Sequence, residues 1–388
     1  MTRKICIFTG TRADWGHMYW IAWELRARAD VTLQIVASGT HLDPRFGATA
    51  AEIEAAGFTI DARVPMPLDD DSPVGTAGAM AACLAGCAEA FNRLSPDLLL
   101  VLGDRYEGLA AASAAMLARM PIAHVHGGEV SEGAFDDCVR HAITKLAHLH
   151  FPAAEPYAER IVRMGEDASR VFCFGAPGLD HLGRTALLDR NVLELDLGIR
   201  LADPVLLVTY HPATLGDLGA LPAMSALLAA LDHFPEASVV ITGVNADPGN
   251  HGADDLAIRY AGRHPGRVAS VRSLGQTRYL SVMSLAAAVL GNSSSGLIEA
   301  PAMGIPTVNV GPRQDGRLKA ASVIDCAEDE RAMRDALEQA LRPEFRRKWP
   351  DGLSLYGQGD ASRRIADTVA TMPLSNILVK RTTREVAP

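Results

Sequence analysis

Along the first half of the chain, short apolar runs alternate with longer segments in which apolar positions recur every three or four residues. The runs Ile5–Thr9, Thr32–Ala37, Leu98–Leu102, Ile122–His126 and Val171–Phe174 lack the polar alternation of a half-wet strand. Each therefore predicts a strand covered on both faces, as in a parallel sheet. The helical spacing near Tyr19–Arg28, Thr49–Ala56, Gly78–Arg93, Glu107–Arg119, Asp136–Ala147 and Tyr157–Met164 predicts the covering helices. The rhythm lapses around Gly175–Asp196. It restarts with strands Val205–Thr209, Ser238–Thr242, Ala287–Leu290 and Thr307–Val310, and helices Ala220–Leu231, Thr277–Ser284, Ser295–Met303 and Glu328–Leu341. The pattern predicts an α/β protein of two doubly wound, Rossmann-like domains with a ligand cleft between them. The expected boundaries are residues 1–176, 177–360 and a last segment, 361–388, whose helix Ser362–Met372 crosses back to the first domain. Glycine and proline around Gly175–Gly178 mark the expected hinge.

Length and composition narrow the function more than the fold. At roughly 150 residues per domain, 388 residues make two. Hydrophobic residues at 48% and charged residues at 21% give an ordinary core-forming chain rather than a disordered one. The net charge of −9 argues against a nucleic-acid backbone as partner but leaves room for a small polyanion. No apolar run is read as long enough to cross a bilayer, and the four apolar residues Ile5–Phe8 are too few for a signal peptide. Six scattered cysteines without paired ligands predict reduced, mostly buried thiols, a cytoplasmic location and no metal; no cofactor is expected.

The strand ends carry the chemistry. Thr9-Gly10-Thr11-Arg12 is a glycine turn that can present backbone amides and Arg12 to an anion, or simply start a helix. Asp104, in Gly103-Asp104-Arg105-Tyr106-Glu107, reads equally as a helix N-cap or as an acid–base group. His124 and His126 fall on one side of a strand, and read as hydrogen-bonded scaffolding as readily as site groups; two neighbouring histidines do not by themselves make a metal site. Asp136 and Asp137, followed within a turn by Arg140 and His141, supply acid, base and counter-charge, or a dipole-matched helix start. In the second half, His211, Asn245 and Asp247 close two strands. The segment Gly291-Asn292-Ser293-Ser294-Ser295-Gly296 offers hydroxyls and amides at a helix N-terminus, an anion cradle. Glu299 lies one turn further, within reach of a ribose diol, and Arg313 follows the next strand.

Taken together, GTRAD, GDRYE, HGGE, FDDCVRHAITKLAH, YHPAT, NADPG, GNSSSGLIE and GPRQDGR resemble the hydrolysing UDP-N-acetylglucosamine 2-epimerases of sialic-acid biosynthesis. The match runs in order from about Arg3 to Asp325. The resemblance implies a glycosyltransferase-B architecture, a UDP-sugar as partner and a homodimer or homotetramer. It implies anti-elimination of UDP by loss of the C2 proton to give 2-acetamidoglucal, then syn addition of water to give N-acetylmannosamine. Such chemistry needs a held pyrophosphate, an aligned base and exclusion of bulk water. On the resemblance, Asp104, Glu129 and Asp136 are the acid–base carboxylates, and Arg105 and His211 contact the pyrophosphate or transition state. Arg12, His126, Asn245, Asp247, Ser293, Ser294, Glu299 and Arg313 bind the substrate. Some members of the wider family carry Glu at the place of His126. A cousin branch takes UDP-2,4-diacetamido-2,4,6-trideoxyglucose, on the route to legionaminic acid, and the motifs lean toward N-acetylglucosamine. A UDP-sugar glycosyltransferase and a non-catalytic nucleotide-sugar sensor are the competing readings; paired carboxylates at strand ends favour C–H chemistry over both.

Overall fold

Twelve strands form two six-stranded parallel sheets in a computed structural model, which describes residues 2–70, 72–131, 135–211, 220–243, 252–349 and 352–380. The first sheet contains β1 (Arg3–Thr9), β2 (Val31–Ser38), β3 (Ala62–Val64), β4 (Leu98–Leu102), β5 (Ile122–Val125) and β6 (Leu149–Phe151), in the order β3-β2-β1-β4-β5-β6. The second contains β7 (Val205–Thr209), β8 (Ser238–Thr242), β9 (Val268–Val271), β10 (Ala288–Gly291), β11 (Thr307–Val310) and β12 (Val323–Cys326), ordered β12-β11-β10-β7-β8-β9. Both are the same doubly wound order. Each has one place where the direction of winding reverses, between β1 and β4 and between β7 and β10. The expected fold class is what the chain adopts: two Rossmann-like α/β units.

The chain divides into two compact units. Unit 1 is Met1–Glu129, Asp136–His181 and Tyr356–Pro388; unit 2 is Val130–Phe135 and Leu182–Leu355. These crossings lie a few residues from the boundaries at 176 and 360 expected from the strand rhythm. The expected hinge at Gly175–Gly178 is inside unit 1, where Gly175 (φ +96°) lies against the Gly357 backbone and Ala176 N–H donates to Tyr356 O at 2.7 Å.

Strand alternation explains the cores. In β1, Ile5 and Ile7 face a layer built from Ile21 and Leu25 of the helix Arg12–Arg26 together with Ile365 and Val369 of the helix Ala361–Thr371. Cys6 and Phe8 face the opposite layer, with Cys83, Cys87 and Phe91 of the helix Pro73–Leu94. In unit 2, Leu206 and Val208 pack on Leu227, Tyr260 and Met333, while Val205 and Leu207 pack on Val282 and Met283.

Three expectations need correction. Pro73–Leu94 has 22 residues and a mean hydropathy of 1.4 over its best window, so by length and composition it could cross a membrane. Its composition rests on alanines and glycines, and its stripe Ala79, Cys83, Cys87, Ala90 and Phe91 is buried in the core of unit 1. Val171–Phe174 is not a strand. Only Val171 bridges to His150, and Phe172 and Phe174 instead stack about Phe151. The expected helix Ser295–Met303 is two pieces, a 3-10 turn Ser294–Gly296 and a helix Glu299–Ala302 only four residues long. Pro301 has no N–H to extend the first turn.

Burial within unit 1 also sets an acid limit on stability. His41 lies between Thr9 Oγ1 at 2.9 Å and Thr49 Oγ1 at 2.8 Å, and burial lowers its pKa to about 4. Burial lowers His148 to about 4 and His124 to about 3. An unfolded chain takes up these protons near pH 6.5, so stability is lost as pH falls from 6.5 toward 4, at about 1.4 kcal/mol per pH unit per histidine. Asp14 opposes this on a smaller scale, because burial raises its carboxyl to about 6 and the folded state binds that proton first. The urea midpoint is expected to be lower at pH 5.0 than at pH 7.5. An unchanged midpoint would mean that the three histidines do not unfold with unit 1.

Candidate active site

In unit 1 the polar side chains gather at the C-terminal ends of β1, β4 and β5. After β1, Thr11 caps the helix Arg12–Arg26 in a capping box. Asp14 N–H donates to Thr11 Oγ1 at 3.2 Å, and Asp14 Oδ2 accepts from the Thr11 and Gly10 amides at 3.1 and 3.2 Å. The Gly10 and Thr11 amides, expected to face an external anion, are therefore taken by Asp14. Beneath the turn lies Glu107, buried and bonded through Oε1 to Arg105 Nε at 2.6 Å. A side chain at Gly10 would collide with it.

After β4, the capping reading of Asp104 falls away, because Arg105 is the N-cap of the helix Tyr106–Leu117. Asp104 pairs with Arg140, whose side chain is only 1% exposed. Arg140 also reaches Asp137 at 3.2 Å, and His141 Nε2 lies 3.3 Å from the other oxygen of Asp137. The helix Asp136–Leu146 thus ties the β4 end to its own first turn, with half-buried Asp136 opening it. Arg140 is the counter-charge that the sequence pattern offers beside Asp136 and Asp137; its burial and its pairing with Asp104 are not readable from the spacing.

His124 and His126 do not share a face. β5 ends at Val125, and His126 takes a left-handed conformation (φ +61°) that breaks the alternation. His124 Nε2 lies 2.8 Å from Gly103 O, and burial keeps the ring neutral at working pH, so it is scaffold. His126 Nδ1 lies 2.5 Å from Glu129 Oε1, with both side chains buried. The His17 ring is beside it, centroids 5.2 Å apart. No three His, Cys, Asp or Glu side chains among the described residues converge as metal ligands.

In unit 2 the polar groups gather at the ends of β7 and β10, at the winding reversal. Gly291 (φ +136°) presses so closely on the Thr209 carbonyl that no side chain fits. Buried Asn292 then clasps the β7 end: its Oδ1 accepts from His211 N–H at 2.7 Å and its Nδ2 donates to His211 O at 2.6 Å. Asn292 O accepts from Arg313 Nη1 at 3.1 Å and Gln314 Nε2 at 2.6 Å. The structure thereby brings His211, Arg313 and the serine segment together around a residue not singled out from sequence. Ser293 caps the 3-10 turn, and its Oγ lies 3.0 Å from Ser295 Oγ, which bonds Tyr279 OH at 2.5 Å. With so short a helix behind it, the segment presents hydroxyls rather than a helix dipole. Ser294 is half-buried in that turn and Glu299 is buried at the start of the next. Asn245 and Asp247 lie outside the described residues.

Two doubly wound units, one ending in carboxylates, histidines and arginines and the other in hydroxyls, an asparagine and an arginine, make up a fold of the glycosyltransferase-B type. The sequence family described as UDP-N-acetylglucosamine 2-epimerase matches residues 23–370, and the chain belongs to that family as a UDP-sugar 2-epimerase. It is 38% identical over 323 residues to the GDP/UDP-N,N'-diacetylbacillosamine 2-epimerase (hydrolyzing) of Campylobacter jejuni, covering 83% of this chain and 84% of that one. It is 36% identical over 383 residues to the UDP-N,N'-diacetylbacillosamine 2-epimerase (hydrolyzing) of Legionella pneumophila, covering 98% and 99%. The UDP-GlcNAc 2-epimerase of Neisseria meningitidis, crystallised with UDP-GlcNAc, shares the fold at 18% identity, with a TM-score of 0.79 over 94% and 99% of the chains.

Proposed function

We propose that the chain hydrolyses UDP-N,N'-diacetylbacillosamine, the 2,4-diacetamido-2,4,6-trideoxy sugar nucleotide, releasing UDP and the sugar inverted at C2. Full-length likeness to the Legionella enzyme favours this substrate over UDP-N-acetylglucosamine. The family description and the shared fold of the Neisseria enzyme keep UDP-N-acetylglucosamine as the second reading. The observation that carries the chemistry is the clustering of Asp104, Asp137 and Arg140 at the β4 end, with His126 and Glu129 at the β5 end.

The C2 proton has no carbonyl beside it, so the C1–O bond must be well broken before that proton leaves. Arg12, His211, Ser293, Ser294 and Arg313 hold the departing pyrophosphate, and Glu299 the ribose; Arg105 adds charge near the developing anion. Acid–base work falls to the unit 1 groups. Elimination gives a glycal, and water then adds to it with a new proton arriving at C2.

The test is incubation with each UDP-sugar in deuterated water, followed by NMR. UDP release with one deuterium at C2 of the free, inverted sugar is the expected result, with the diacetamido substrate turned over at least tenfold faster. Intact substrates, or a released sugar of unchanged configuration without deuterium, would end the epimerase reading. Faster turnover of UDP-N-acetylglucosamine would select the second substrate.

A further inference from the structure

The β5 loop places a second side chain where one carboxylate was expected to act. His126 and Glu129 are joined by a single bond of 2.5 Å between Nδ1 and Oε1, and the loop is shaped to make it. The His126 N–H still pairs with Phe151 O at 3.0 Å, so the residue is fixed to the sheet edge while its own φ is +61°. A left-handed conformation is unfavourable for a residue with a side chain and persists where the surroundings impose it. Gly128 (φ +77°) follows, packed so closely on Tyr157 O that a side chain there would collide. Its own carbonyl is held by Arg160. The chain thus reverses within three residues and brings Glu129 back onto His126.

The two ends of the imidazole are then unequal. Nδ1 is committed to Glu129, whereas Nε2 is buried without a hydrogen-bond partner among the described residues. An unpartnered buried ring nitrogen is costly unless a ligand engages it. A carboxylate bonded to Nδ1 selects the tautomer with the proton on Nδ1 and a lone pair on Nε2, and it stabilises the imidazolium once Nε2 takes a proton.

We propose that His126, through Nε2, is the group that accepts the C2 proton, and that Glu129 is its positioning carboxylate rather than the base. This rests on the epimerase reading and redistributes its roles. In the elimination, the C2–H electron pair becomes the C1=C2 π bond, and the C1–O pair leaves with the UDP β-phosphate oxygen. The proton bonds to Nε2, and Glu129 balances the resulting charge. In the hydration, a separate acid, for which Asp136 is the candidate, gives C2 its new proton on the opposite face. The water oxygen bonds to C1, and the proton that water sheds restores that acid. His126 becomes neutral again by losing its proton to solvent.

The order of two variants decides the roles. His126→Gln is expected to lower kcat for elimination about 1,000-fold, and Glu129→Gln, which keeps an acceptor but removes the charge, about 10- to 100-fold. KM for the sugar nucleotide and Kd for UDP are expected to stay within threefold in both, which also shows that both fold. A loss in Glu129→Gln equal to or larger than in His126→Gln would make Glu129 the base and overturn the proposal. A second readout needs no substrate. In 15N-histidine-labelled protein at pH 8, the resonance absent from His126→Gln is expected to report Nδ1 protonated and Nε2 bare, and Glu129→Gln to shift it. Protonated Nε2 in the wild type would overturn the proposal too. This readout holds whether or not either UDP-sugar is turned over, so failure of the functional reading is seen separately.

Discussion

Asp136→Asn is expected to lower formation of the inverted sugar roughly 1,000-fold while UDP affinity stays within threefold. General acid–base groups contribute on the order of 100- to 10,000-fold. The buried Arg140 guanidinium pairs with Asp104 and with Asp137 and so joins the β4 end to the first turn of the helix. Asp136 opens the same helix one residue earlier, half-buried. If it delivers the new C2 proton, its loss stops hydration and not elimination, so the glycal accumulates and can be followed by NMR. Collapse of UDP affinity in this variant would instead make Asp136 a structural residue.

Arg313→Ala acts on the other unit and in the other direction. Loss of a charged, partly desolvated contact to phosphate is expected to cost about 2–3 kcal/mol of UDP binding, a 30- to 150-fold rise in Kd. Arg313 is anchored by its bond to Asn292 O, which Gln314 shares, so the guanidinium is pre-set rather than recruited. Calorimetric titration with UDP measures this directly. Unchanged affinity would remove Arg313 from the nucleotide site.

The central strands were legible because they are uninterrupted apolar runs, and Leu98–Leu102, Val205–Thr209, Ser238–Thr242 and Thr307–Val310 are found residue for residue. The outer strands β3, β6, β9 and β12 were not. They have three or four residues each, and an edge position needs burial on fewer sides, so Ala62–Val64 or Leu149–Phe151 carries no pattern of its own. At the site, residue types were readable and partners were not. Asp104 reads equally as a cap or an acid–base group in the sequence, and its partner Arg140 lies 36 residues away, beyond the reach of any local pattern. Asn292 was hidden inside a serine-rich motif, and its role comes from spanning two strand ends that lie 81 residues apart in sequence. His126 was assigned to a strand face because alternation was extended one residue too far; a left-handed histidine has no sequence signature.

The return of Ala361–Thr371 to unit 1 has a consequence for the order in which the protein can be made. Ile365 and Val369 complete the layer over Ile5, Ile7 and Leu25, yet they follow all of unit 2 in the chain. During synthesis, the first sheet must wait with one apolar face incomplete until the whole of the second unit has emerged. Unit 2, apart from its short 130–135 segment, is one continuous stretch and is free to fold in the meantime. The half of the protein that is translated first is therefore the half that is finished last.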